Sequence, residues 1–309
     1  MSKYYLGIDL GGTEVKIGIV DELGKTIEEA SIVKTSAFKP EELVKKIVEK
    51  TKSMKNFRFV SGTGVGVAGD IDQENGIVRF SPNLPKWKNV NLRQMLKKHL
   101  LGPIVIDNDA NAAALGAYFL DAKMKVKNLV CVTLGTGVGG GIILNGKVFR
   151  GATGTAGEIG HMHYDADGHQ CNCGSFGCIE RYLGAAYLSY EGKISGSKKI
   201  FELAHDNAEN ITPKILEEAA RSGDSAAEQI WLDAGTKLGV ILADVINLLN
   251  PEMIVLTGGV SKANELLLDP IKEIIKKRAF KTPARACKIV ISKYNSMLGV
   301  VGAALFAKE

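Results

Sequence analysis

The sequence predicts a two-domain α/β protein built by internal duplication, and three observations predict it. Its 309 residues exceed what one hydrophobic core ordinarily fills, so two halves with separate cores are expected. Period-two apolar runs flank a glycine turn at Gly11 and Gly12, and do so again at the GTGVGGG stretch beginning at Gly135, about 125 residues later. Each of these units is followed by helix and then by a further buried-looking strand.

In the first half, Tyr4 to Asp9 is an apolar run that ends at the double glycine, and Val15, Ile17 and Ile19 alternate with other residues beyond it. Strand, tight turn, strand is the pattern this makes. Dinucleotide and Walker-type loops lead from a strand into a helix, so neither fits here. The DELGK stretch from Asp21 turns the chain into a third strand at Thr26 to Thr35. Pro40 opens a helix through Met54 with Leu43, Val44, Ile47, Val48 and Thr51 on one face. Phe57 to Val67 reads as a strand ending at Ala68, Gly69 and Asp70, and Ile104 to Asp109 as another that runs into a helix over Ala110 to Leu120.

The second half repeats the plan. Asn128 to Leu134, Ile142 to Leu144 and Lys147 to Arg150 are strands joined by the second glycine turn and by an Asn145-Gly146 hairpin. Helices are expected over Pro213 to Arg221 and Ser225 to Leu249, a strand over Met253 to Thr257 ending at Gly258 and Gly259, a helix near 262 to 279 and a strand near 287 to 292. Met297 to Lys308 is a closing apolar helix. The first domain is placed at 1–119 plus 297–309 and the second at 120–296.

A net charge of +5 is mild, favouring small anions over nucleic acid. Three of the five cysteines crowd into one loop, which argues against a disulfide framework. With no charged leader followed by an apolar segment and no run of about 18 apolar residues, a cytoplasmic protein without a membrane span is expected.

Chemistry concentrates in four places. Glycine turns between strands present successive N–H groups that bind phosphate oxygens, and one in each half suits a polyphosphate: Gly11, Gly12 and Thr13 in the first, Gly135, Thr136 and Gly137 in the second. Asp9, just before the first turn, is suited to hold Mg²⁺ through water. Asp107, Asn108 and Asp109 stand at a strand-to-helix junction where any of the three can cap the helix. Asp109 is taken as the base that accepts a proton from an attacking alcohol. Finally, His161, Cys171, Cys173 and Cys178 form the donor set of a closed tetrahedral zinc site, and Glu158 and Glu180 bracket it.

DLGGT from Asp9, DNDANAAALG from Asp107, LGTGVGGG from Leu134, GTAGEIGHM from Gly154, CNCGSFGCIE from Cys171 and TGGVS from Thr257 together resemble the ROK family, over nearly the whole chain. That resemblance implies a duplicated actin-like (ribonuclease H-like) two-domain sugar kinase fold with an interdomain cleft for ATP and sugar, and a homodimer. It implies Asp109 as catalytic base, with Asn108, Glu158, His161 and Glu180 hydrogen-bonding sugar hydroxyls. Gly69 and Asn83 lie where the family also contacts sugar, and Gly258 and Gly259 flank the adenosine. The implied reaction is ATP-dependent phosphorylation of a hexose, glucose at its 6-hydroxyl first. Mannose, fructose, N-acetylglucosamine or N-acetylmannosamine are alternative acceptors, and a sugar-responsive regulator without kinase activity is the alternative class. Such regulators carry a DNA-reading element, for which the few residues ahead of the first hairpin leave no room. The chain departs from the family pattern at Ala68, Ala117 and Gly184, where proline, glutamate and serine are usual, and these changes bear on sugar preference.

Overall fold

The computed structural model describes residues 3–33, 35–100 and 102–308. The chain divides into two compact units, one of residues 1–131, 141–157 and 296–309 and the other of residues 132–140 and 158–295.

The first unit opens with three antiparallel strands, β1 (Tyr4–Leu10), β2 (Glu14–Asp21) and β3 (Thr26–Val33). The expected third strand extended to Thr35; Lys34 lies outside the described residues, and Thr35 begins a short 3-10 turn. Helix α1 (Pro40–Lys52) buries the predicted face and has proline at its start. Phe57–Phe59 is a 3-10 turn rather than strand, and β4 starts at Val60 and runs to Val67. Three short strands, β5 (Asp70–Asp72), β6 (Ile77–Phe80) and β7 (Lys88–Asn91), form a small antiparallel sheet of their own, which the sequence pattern does not anticipate. Helix α2 (Leu92–Lys97), strand β8 (Ile104–Asn108) and helix α3 (Asp109–Leu120) complete the run. The main sheet has the order β3-β2-β1-β4-β8, with β1, β4 and β8 parallel.

Strands β9 (Leu129–Leu134), β10 (Val138–Leu144) and β11 (Lys147–Val148) repeat the opening meander, the last shorter than expected. In the second unit there follow α4 (Glu180–Leu183), α5 (Ala185–Ile194), α6 (Lys198–Leu203), α7 (Pro213–Arg221), α8 (Ser225–Leu249) and, after β12 (Met253–Thr257), α9 (Glu265–Arg278). Asp224 caps α8 by accepting from Ala227 N, and Asn250 ends it in the left-handed region. A short α10 (Lys281–Ala286) leads into β13 (Lys288–Ile291). The second sheet runs β11-β10-β9-β12-β13. Both sheets therefore place a three-strand meander beside two later strands in the same order, which is the duplicated actin-like plan.

The closing helix α11 (Leu298–Phe306) is buried along its whole length and packs on β1, β4 and α3. Small residues allow the approach. A Cβ on Gly302 would overlap the Ala112 carbonyl, and one on Gly116 would overlap that of Leu298. No helix among the described residues is long and apolar enough to cross a membrane.

Candidate active site and metal centre

In parallel α/β sheets, ligand groups gather beyond the carboxyl ends of the strands, and in the first unit that is where Asp9, Gly69, Asn108 and Asp109 lie. Asn108 is the residue that caps α3. Its Oδ1 accepts from Ala110 N (2.8 Å) and Asn111 N (3.3 Å), and its Nδ2 donates to the Gly69 carbonyl (3.1 Å). Gly69 adopts φ +132°, and a Cβ there would overlap the Phe80 carbonyl, so only glycine lets the chain bring that oxygen to Asn108. Asp109 follows as the first residue of α3, half-buried, with Oδ1 3.0 Å from Ala110 N.

Asp107 is spoken for elsewhere. Its buried carboxylate accepts from Arg150 Nε (2.7 Å), Asn108 N (2.7 Å) and Asn111 Nδ2 (3.0 Å). Of the three polar residues at the junction, Asp107 anchors this buried network, Asn108 caps the helix and Asp109 is its first residue.

The first glycine turn is held from within. Gly11 N–H donates to the Glu14 carbonyl, while the carbonyls of Gly11, Gly12 and Thr13 accept from Thr35 Oγ1, Ser36 N and Thr35 N. The N–H groups of Gly12 and Thr13 make no intramolecular hydrogen bond among the described residues. A Cβ on Gly12 would come 2.7 Å from Asn83 Cβ, which puts that exposed residue against the turn. Asp9 is the last residue but one of β1, with its carboxylate against Gly299 at the start of α11. Burial first, and the nearby charge of Asp109 second, raise its carboxyl from 3.8 to about 7.

The second unit holds the candidate metal centre. Ligand atoms of His161, Cys171, Cys173 and Cys178 all lie within 4.8 Å of one another. Cys173 Sγ and Cys178 Sγ are 3.7 Å apart, and His161 Nδ1 is 3.8 Å from Cys171 Sγ. Tetrahedral zinc with bonds of about 2.3 Å requires sulfurs roughly 3.8 Å apart, so the spacing fits. Burial and the neighbouring thiols push Cys178 up to about 12, while the N–H of Ser175 lowers Cys173. A dication among these sulfurs would offset that repulsion. His161 turns its other nitrogen, Nε2, toward Glu158 Oε2 at 3.9 Å. The remaining histidines of the loop are engaged differently: His163 Nε2 lies 3.0 Å from Ser175 Oγ, and His169 packs on the rings of Tyr182 and Tyr187.

The second glycine turn lies between β9 and β10. Gly135 N–H donates to Gly137 O (2.9 Å), and Val138 N–H donates to Glu180 Oε2 (2.9 Å). Thr136 and Gly137 keep their N–H groups without an intramolecular partner among the described residues. Gly135 and Thr136 open onto a cleft of about 380 Å³ whose other walls include Thr212, Trp231, Gly259 and Lys262. Gly258 stands beside it at the end of β12 with φ +101°, its N–H held by Asn295 Oδ1 at 2.9 Å.

Sequence reasoning misses Arg150, Thr212 and Trp231. Thr212 carries a local signal, since Thr-Pro starts a helix; Arg150 and Trp231 reach their places through tertiary packing and carry none.

A family model described as the ROK family matches residues 5–309. A glucokinase of Thermotoga maritima is 34% identical, the match covering 98% of this chain and 97% of that one. A xylose repressor of Caldicellulosiruptor bescii is also 34% identical, over 96% of this chain and 76% of the repressor. Among solved structures, a ROK family glucokinase from Streptomyces griseus in complex with glucose and AMPPNP aligns at TM-score 0.86 and 33% identity, covering 99% of each chain.

Proposed function

The chain belongs to the ROK family, and from that premise we propose that it phosphorylates a hexose at the expense of ATP, with glucose the first-choice acceptor. The observation that carries this reading is the strand-end arrangement of the first unit. Asp109 stands at the start of α3, next to the buried Asp107 network, at the same strand ends as a glycine turn whose Gly12 and Thr13 N–H groups have no intramolecular partner among the described residues. Similarity to glucokinases over nearly the full chain supports the substrate class.

In the proposed reaction, the 6-hydroxyl of the sugar attacks the γ-phosphorus. Its proton passes to the Asp109 carboxylate, the new O–P bond forms, the bond to the β,γ-bridging oxygen breaks, and ADP leaves. Gly12 and Thr13 N–H and those of Thr136 and Gly137 receive phosphate oxygens, with Gly11 and Gly135 shaping the turns, and Gly258 and Gly259 border the adenosine. Asn108, Glu158, His161 and Glu180 bind ring hydroxyls, with Gly69 and Asn83 against the same sugar. Asp9 would hold Mg²⁺ through water, an ion that neutralises charge on the phosphates and also suits a carboxyl otherwise driven toward its neutral form. Zinc on His161, Cys171, Cys173 and Cys178 would brace the loop, and four protein ligands give it no open position for chemistry.

The test is an ADP-release assay across glucose, mannose, fructose, N-acetylglucosamine and N-acetylmannosamine, repeated with Asp109→Asn. Sugar-dependent ADP release that falls by at least a hundredfold in the variant, with sugar binding retained, is expected. The resemblance to a xylose repressor favours the second reading, a sugar-binding regulator. Sugar binding without ADP release from any of the five would select it.

A further inference from the structure

Among the groups around the second glycine turn, Glu180 is bonded to the turn itself. Its Oε2 accepts the Val138 N–H at 2.9 Å, and a Cβ on Gly137 would overlap the same oxygen. Two more contacts converge from the chain that follows. Ala185 N–H donates to the Gly135 carbonyl at 2.9 Å, and a Cβ on Gly184 would come 2.8 Å from the Thr136 carbonyl. The start of α4 and the start of α5 therefore grip the turn at its two shoulders, Val138 and Gly135. The two residues between them, Thr136 and Gly137, are those whose N–H groups have no intramolecular partner among the described residues.

Glu180 is also two residues from Cys178, a fully buried member of the metal centre. The intervening chain has little freedom. Ile179 is fully buried and its N–H donates to the Met162 carbonyl (2.9 Å), Arg181 N–H donates to the Cys178 carbonyl (2.9 Å), and Cys178 bridges to His163. Whatever fixes Cys178 thus fixes the carboxylate two residues on, and the carboxylate fixes Val138.

We propose that Glu180 is a positioning residue for the nucleotide. Its Oε2 ties the phosphate turn to the metal-braced loop, so bracing by the metal acts on ATP as well as on the sugar. The inference rests on the reading of Gly135 to Gly137 as a phosphate turn. The physical reason is preorganisation: N–H donors already aimed at a phosphate lose less conformational freedom when it arrives, and ordering even one residue costs about 1–2 kcal/mol. A carboxylate is not needed for this task. An amide oxygen also accepts from Val138 N–H, though more weakly than a carboxylate, so Glu180→Gln keeps the turn held while changing what meets the sugar, and Glu180→Ala removes both.

The experiment measures AMPPNP affinity by calorimetry, without sugar, together with hydrogen exchange of the 132–140 backbone, on the full chain with and without Zn²⁺. Relative to the zinc-loaded wild type, Glu180→Ala weakens AMPPNP by about tenfold, the loss of one hydrogen bond, and speeds exchange of the turn. Glu180→Gln stays within about twofold in affinity and keeps the turn protected. Chelation of zinc from the wild type reproduces the alanine phenotype in both readouts, and chelation in the Glu180→Ala background adds little. The proposal is overturned if Glu180→Ala binds AMPPNP as the wild type does with unchanged exchange, or if chelation weakens both proteins by the same factor. Zinc-loaded wild type that binds no AMPPNP overturns the phosphate-turn reading, and this inference with it. Binding that is intact in every variant rejects the positioning role alone.

Discussion

Replacement of Arg150 by methionine tests whether the Asp107 network holds the helix start that carries Asp109. Methionine keeps the length of the stem and removes the guanidinium, whose Nε lies 2.7 Å from Asp107 Oδ2. Arg150 also donates to the Val148 carbonyl (3.4 Å) and stacks over Phe306 at 5.6 Å. Asp107 is 2% exposed, so the substitution strands a charge in the interior, a change that typically costs about 3–5 kcal/mol. Two donors, Asn108 N and Asn111 Nδ2, stay on Oδ1 and soften the loss. The expected cost is therefore at the lower end, about 3 kcal/mol by urea denaturation. Neutralising the stranded group must then relieve it: Asp107→Asn in the Arg150→Met background recovers at least about 1 kcal/mol relative to Arg150→Met alone, a coupling readable from the double-mutant cycle. Additive effects, or a cost under about 1 kcal/mol for Arg150→Met, would refute the reasoning.

Two further outcomes follow from the same unit. In the ligand-free protein Asp9 holds a proton that the unfolded chain releases between 3.8 and about 7, so its contribution to stability is full below pH 4 and is lost as pH rises through 7. Asp9→Asn cannot ionise and gains up to about 4 kcal/mol over the wild type at pH 8, with no gain below pH 4; a pH-independent difference in denaturation midpoints would reject this. Gly302→Val forces a branched side chain into the Ala112 carbonyl and costs about 3 kcal/mol or more, and a loss under about 1 kcal/mol in urea would show that α11 has room to shift.

The duplicated plan was legible because period-two runs around a double glycine leave few alternatives: β1, β2 and β9 stand where that pattern put them, while β10 begins at Val138, four residues before the expected Ile142, because Val138 to Gly141 are strand rather than turn. The grouping of His161, Cys171, Cys173 and Cys178 was legible for a related reason, since a short loop with three cysteines and a histidine can bring them together with little help from the rest of the chain. What escaped depends on distance in sequence. The β5-β6-β7 sheet is made of strands of three or four residues, too short for a period to show. Arg150 reaches Asp107 across 43 positions, and nothing local to either residue records the pairing. The strand expected from Phe57 failed because an apolar run does not separate a strand from the turn that leads into it.

Glu180 marks where residue-by-residue assignment stops. A carboxylate has two oxygens and about four lone-pair sites, so a role for one oxygen says nothing about the other. The sequence places Glu180 beside the metal cluster and suggests a sugar contact, and that assignment uses the residue once. Hydrogen bonding to Val138 uses Oε2 from within the protein, which leaves Oε1 for a hydroxyl and makes the two uses compatible rather than rival. Compatibility has a consequence for kinetics: a substitution that spares one oxygen's task and not the other's must separate the Michaelis constants for sugar and ATP. Glu180→Gln therefore raises the constant for sugar by about tenfold while that for ATP stays within about twofold, because loss of the charge weakens hydroxyl binding and the amide oxygen still holds the turn. Equal rises in both constants would mean that the two oxygens do not act separately.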